Sequence, residues 1–131
     1  MSLKVYSARQ YSVKLKCTSQ NTGKLGFTSG TATVLKLTPE SFIKIAGDEN
    51  DNMFLIVCNA PDEDGFKVDF ISGYYSLPTT VLFNELGIDY KSYTVMYDLI
   101  REASLDVEAD GTVYKMAKRV NEKKNKEAVM K

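Results

Sequence analysis

The sequence predicts a mainly β (α+β) fold: a small barrel-like or sandwich β domain with two short helices between strands and a basic C-terminal tail. Three observations lead there. Eight Tyr and six Phe with no Trp suit the pleated, half-buried surface of a sheet. Several short runs alternate apolar and polar residues with period two. Clusters of Gly, Asn, Asp, Ser and Pro separate those runs.

Taken in order, Tyr11, Val13, Leu15 and Cys17 share one face, with Ser12, Lys14 and Lys16 on the other, the pattern of a half-buried strand. Ser19-Gln20-Asn21-Thr22-Gly23 turns the chain. Leu25 to Leu37, rich in Thr, Val and Phe, reads as one or two strands bent at Ser29-Gly30. Met53 to Cys58 is apolar on both faces and suits a central strand. Asn59 to Gly65 is an acidic turn, followed by alternating Phe66, Val68 and Phe70. Tyr93, Val95, Tyr97 and Leu99 alternate in the same way. Asp110-Gly111 predicts a type I′ hairpin that pairs Val107 with Tyr114, Leu105 with Met116 and Asp106 with Lys115.

The two predicted helices are Leu37 to Gly47 and Leu77 to Gly87, which correspond at an offset of forty. Each begins near a Pro suited to a first helical turn and stops at a Gly able to take a left-handed cap. They are either a duplicated unit or the common punctuation of two β-α-β segments. Residues 1–117 are expected to form a single β-rich domain, and 118–131 a basic, mobile tail. In the tail only Val120, Val129 and Met130 are large and apolar, with no stripe linking them.

The order strand, Thr-Pro or Leu-Pro, short helix, Gly, polar turn, strand, over roughly residues 25–100, resembles the cradle-loop barrels. These include AbrB-type swapped-hairpin transcription factors and double-psi barrels. Gly47-Asp48 matches the Gly-Asp pair that often follows the helix in that group, whereas Gly87-Ile88-Asp89 departs from it. The resemblance implies a small barrel, a dimer for the swapped-hairpin type, and DNA binding in the regulators.

Charge is the most informative functional feature. The net charge is zero, but residues 1–39 hold six bases and no acid, 40–114 hold fifteen acids against four bases, and 115–131 hold seven bases against two acids. Blocks of unlike sign report partners more than fold. Lys14 and Lys16, with Arg9 and Tyr11 nearby, resemble a strand face that tracks phosphates with charge and stacks bases on rings. Lysines that protect an edge strand from unwanted pairing would look the same. Lys24 adds to this block, and Lys118, Arg119, Lys123 and Lys124 form the basic tail. The acidic middle is a further partner for either basic end, within one chain or between subunits.

Catalysis finds little support. No His is present, which removes Ser-His-Asp and Cys-His machinery and His-ligated metals. Thr22-Gly23-Lys24 lacks the Ser or Thr and the upstream Gly of a phosphate loop. Asp48 to Asn52 lacks the Gly and the terminal Glu of a calcium loop. Cys17 and Cys58 read as buried thiols in a reducing compartment or as a disulfide. Residues 1–20 lack the apolar core of a signal peptide, and no run approaches a membrane span. The expectation is a cytoplasmic bacterial or phage protein without enzyme activity or cofactor. It binds nucleic acid or regulates transcription, with possible self-association and no membrane partner. The alternative is a structural or assembly protein that uses its charge blocks for subunit contacts.

Overall fold

The computed structural model describes residues 2–5, 15–119 and 123–124. Strand β1 (Lys16–Ser19) turns at Gln20 into β2 (Leu25–Phe27), the Gln20 and Gly23 amides closing the loop on Lys24 and Gln20 carbonyls. The start of the first predicted strand, from Tyr11 to Lys14, lies outside the described residues. Instead of continuing as a strand through Gly30, the chain forms helix α1 (Ser29–Val34). Thr28 explains the change: its Oγ1 accepts the Thr31 amide at 3.2 Å, satisfying one of the helix's unpaired N–H groups. Thr31 and Ala32 are buried, and Thr31 Oγ1 accepts the Lys16 amide. Local capping and docking outweigh the β preference of Thr and Val.

Leu37 to Gly47 is not a helix. A hydroxyl-bonded turn around Thr38 and Ser41 leads directly into β3 (Phe42–Gly47), which pairs antiparallel with β4 (Met53–Cys58). Ile43 and Ile45 sit opposite Val57 and Leu55; their branched side chains fit a pleated surface better than a helix. By contrast, Leu77 to Gly87 does contain helix α2 (Thr80–Glu85), anchored by fully buried Phe83 and ended by Gly87 at φ 72°. The forty-residue correspondence therefore joins a strand to a helix and is no structural repeat.

From β4 the acidic turn leads to β5 (Phe66–Lys67) and β6 (Asp69–Ile71), separated only by Val68. A two-residue turn returns the chain along β7 (Tyr74–Leu77). After α2 come β8 (Tyr93–Thr94) and β9 (Met96–Arg101). A 3-10 turn (Ala103–Leu105) and helix α3 (Asp106–Ala109) then precede β10 (Gly111–Lys118), and β11 (Lys123–Lys124) pairs with β8. The predicted hairpin across Asp110-Gly111 is replaced by α3, with Asp110 as its left-handed cap. Met116 and Tyr114 face Leu99 and Arg101 on one side, and Met53 and Leu55 on the other.

The main sheet has the order β5-β3-β4-β10-β9-β1-β2-β7-β6. Its two end strands are consecutive in the chain, so one segment bent at buried Val68 pairs with β3 at one edge and β7 at the other. The result is a nearly closed antiparallel barrel, an arrangement that removes most exposed edges. Cys17, Leu25, Ile43, Leu55, Leu77 and Phe83 are fully buried within it, and each large apolar side chain so placed contributes about 2 kcal/mol. On the outer wall, Ile56 and Val113 are also buried, where the segment from Ala103 to Ala109 packs against β10. Cys17 and Cys58 are both free thiols, the first buried and the second half-buried. Among the described residues no helix is long and apolar enough to cross a membrane.

Candidate nucleic-acid interface

The register decides where the basic residues fall. β1 lies between β9 and β2, so Lys16 is on an interior strand and not on an edge needing protection. It stands opposite Asp98 on β9, and Ala117 on β10 flanks Asp98 from the other side. Arg119 follows β10; its amide donates to Met96 carbonyl, and its Nε and Nη2 reach Asp98 at 2.9 to 3.2 Å. A residue from each basic block thus meets on one wall, around a single carboxylate.

Lys24 goes elsewhere. Its Nζ pairs with Asp69 at 3.1 Å, across β7 from β2 to β6. Lys118 is exposed at the end of β10, opposite Tyr97. The backbone of Lys123 and Lys124 runs beside Thr94 and Tyr93. Arg9, Tyr11 and Lys14 lie outside the described residues, as does most of the tail.

Next to this wall is an open mouth of the barrel. Gly47, Met53 and Met116 form a cross-strand row, with Tyr97 beside them. Leu86 and Ile88, carried on the chain leaving α2, complete a cavity of about 890 Å³. A second cavity of about 510 Å³ shares Leu86, Ile88 and Lys118 and adds Tyr93, Val95 and Asp89. Gly87 makes this shape possible: its positive φ lets the Ile88 amide return to Phe83 carbonyl at 3.0 Å. Tyr97 is deeply placed, and burial pushes its phenol up to about 12, so it forms floor and not a stacking face. Tyr93 is half-buried and presents the more accessible ring.

The rim carries both signs. Lys115 and Lys118 line the larger cavity with Asp48 and Asp51. Asp48 is already engaged, accepting the Asn50 and Asn52 amides and the Asn52 side chain. The Asn52 bonds are the main reason its carboxyl lies below the ordinary value. Lys16, Lys115 and Lys118 have no acidic partner within ion-pair distance among the described residues. Each of the five ion pairs found there uses an acid from the 40–114 block. Two of them, Lys24–Asp69 and Arg119–Asp98, tie a terminal block to the acidic middle.

Lys115, Tyr93, Leu86 and Ile88 were not distinguishable as site residues from sequence. Lys115 read as a hairpin partner of Asp106, and Tyr93 as one more residue of an alternating core face. Lys115 and Lys118, three apart on a strand, fall on opposite faces, so their spacing carries no signal of a shared site. Among the described residues, no group of three or more His, Cys, Asp or Glu is placed to hold a metal. No protein-family model, curated protein or solved structure matches the chain.

Proposed function

We propose that this protein is a non-enzymatic nucleic-acid-binding or regulatory protein that makes contact through the β1–β9–β10 wall and the adjoining mouth. The observation that supports this most is the approach of the two basic blocks at that wall and its mouth: Lys16 stands opposite Asp98, Arg119 clasps it, Lys115 shares their outer face, and Lys118, opposite Tyr97, turns to the mouth. Lys16, Lys115 and Lys118 would meet phosphates, and Tyr93 offers a ring for a base beside Lys118. A DNA-binding regulatory role of the kind implied by the resemblance to cradle-loop barrels belongs to this reading, and so does residence in the cytoplasm.

The test is fluorescence anisotropy of labelled single- and double-stranded oligonucleotides with the full chain at rising salt. Neutralising three phosphates gives a log–log salt slope of about −2 on a single strand. The paired substitution Lys115→Glu with Lys118→Glu should weaken binding by about tenfold or more. Absence of any anisotropy change at low salt for either strandedness overturns the proposal. The alternative, a structural or assembly protein, has one observation in its favour: the exposed apolar hairpin formed by β6 and β7.

A further inference from the structure

We propose that the β6–β7 hairpin is a self-association surface, on which a second copy of this chain docks strand-to-strand about Phe70. This deepens the assembly reading and is independent of nucleic-acid binding; none of its residues lines either cavity at the barrel mouth.

Four features converge on it. First, the hairpin tip is apolar and open to solvent: Phe70, Ile71 and Tyr74 are 46, 62 and 69% exposed. Successive strand residues point to opposite faces, so Phe70 lies beside Tyr75 on one face of the hairpin while Ile71 and Tyr74 pair on the other, and both faces present apolar surface to solvent.

Second, the tip takes a defined turn geometry. Ser72 at φ 52° and Gly73 at φ 83° give the paired left-handed conformation of a type I′ turn, whose twist matches that of the strands it joins. The Phe70 and Tyr75 rings lie 4.5 Å apart across the hairpin.

Third, β6 ends the main sheet and, among the described residues, pairs only with β7. In a two-residue hairpin the residues flanking the turn exchange their hydrogen bonds across it. Ile71 therefore directs its N–H and C=O to Tyr74, and Asp69, two residues back, directs its own to Ser76. Phe70 points its N–H and C=O the other way, to the free edge. Val68 obeys the same alternation, its amide reaching Ser41 carbonyl at 3.0 Å.

An antiparallel copy of β6 brings Phe70 opposite Phe70. Each donates its N–H to the other's C=O, and Ile71 is set opposite Asp69. Such a contact is isologous and closes as a two-fold dimer.

Fourth, the charges beside the hairpin have partners within each copy: Lys24 pairs with Asp69, and Lys67 lies 3.9 Å from Glu40. A second copy meets no uncompensated like charge there, which favours self over a strongly charged partner.

The experiment is sedimentation equilibrium of the full chain up to about 1 mM, a range that reveals dissociation constants in the weak, micromolar-to-millimolar class. The wild type should rise from one to two chain masses with concentration, and physiological salt should leave this unchanged because the contact is apolar and main-chain. Ile71→Asp should hold the chain at one mass. So should Phe70→Pro, which removes the outward N–H at an edge position where Pro is tolerated. Val107→Asp, at a 95% exposed apolar residue on α3, should associate as the wild type does. Far-ultraviolet circular dichroism verifies that each variant is folded. A single-chain mass throughout the range, or a dimer that survives Ile71→Asp, overturns the proposal.

Discussion

The dipeptides Ser72-Gly73 and Asp110-Gly111 share a preference for left-handed backbone but build different junctions. At the first, both residues take positive φ, and a tight hairpin results. At the second, only Asp110 does, at φ 54°, and it caps α3; Gly111 is already the first residue of β10. A side chain on Gly73 would meet nothing within 4 Å, whereas one on Gly111 would lie 2.6 Å from the Val57 carbonyl oxygen and 2.7 Å from Ile56 Cγ2. Glycine serves conformation in one place and close approach in the other.

Substitution separates the two roles. Gly111→Ala should have the largest effect, a loss of about 3 kcal/mol in denaturant unfolding, because backbone atoms cannot yield to the added methyl. A loss below that of Gly73→Ala would refute the close-approach account.

Asp106→Ala comes next. Its carboxylate takes two hydrogen bonds from the Arg101 guanidinium and one from the Val113 amide at 3.0 Å, and so ties α3 to both β9 and β10. The Arg101 bond, and after it the Val113 bond, holds this carboxyl below its ordinary value. With the folded value below the unfolded one, the contribution is complete above about pH 4 and disappears as pH falls through the folded value. Asp106→Asn should flatten that acid-side decline in melting temperature; an unchanged decline would contradict the assignment.

Gly73→Ala should cost about 1 kcal/mol, the penalty of left-handed backbone alone, read in the same unfolding experiment. Ser72→Asn should have the smallest effect, a gain of about 0.5 kcal/mol from a residue better suited to a type I′ turn.

The same contrast shows where sequence reading succeeds. Met53 to Cys58 and the acidic turn are legible because strand period and turn composition agree, whereas the Phe66 to Phe70 alternation breaks at Val68, where the segment bends and leaves Phe70 46% exposed. Thr28 to Val34 departs from the strand that its Thr and Val favour locally, because the deciding contribution, the Thr28 cap and the docking of Thr31 on Lys16, lies outside the local pattern. Leu37 to Gly47 is a turn and a strand in place of the expected helix, because a Pro at one end and a Gly at the other punctuate strands as well as helices. Barrel closure through Val68 had no sequence signal, since it depends on which distant edges one segment reaches. The site was legible as charge and not as place. The blocks named Lys16, Lys118 and Arg119, but only the register shows Arg119 and Lys16 on either side of Asp98, with Lys24 drawn away to Asp69.

The most direct test of the functional account is a backbone amide NMR titration of the full chain with a short single-stranded oligonucleotide at low salt. The account predicts shift changes at Lys16, Tyr93 and Lys115 to Arg119, with Ser72 to Tyr75 unmoved. Changes confined to the β6–β7 hairpin, or none at all, would contradict it.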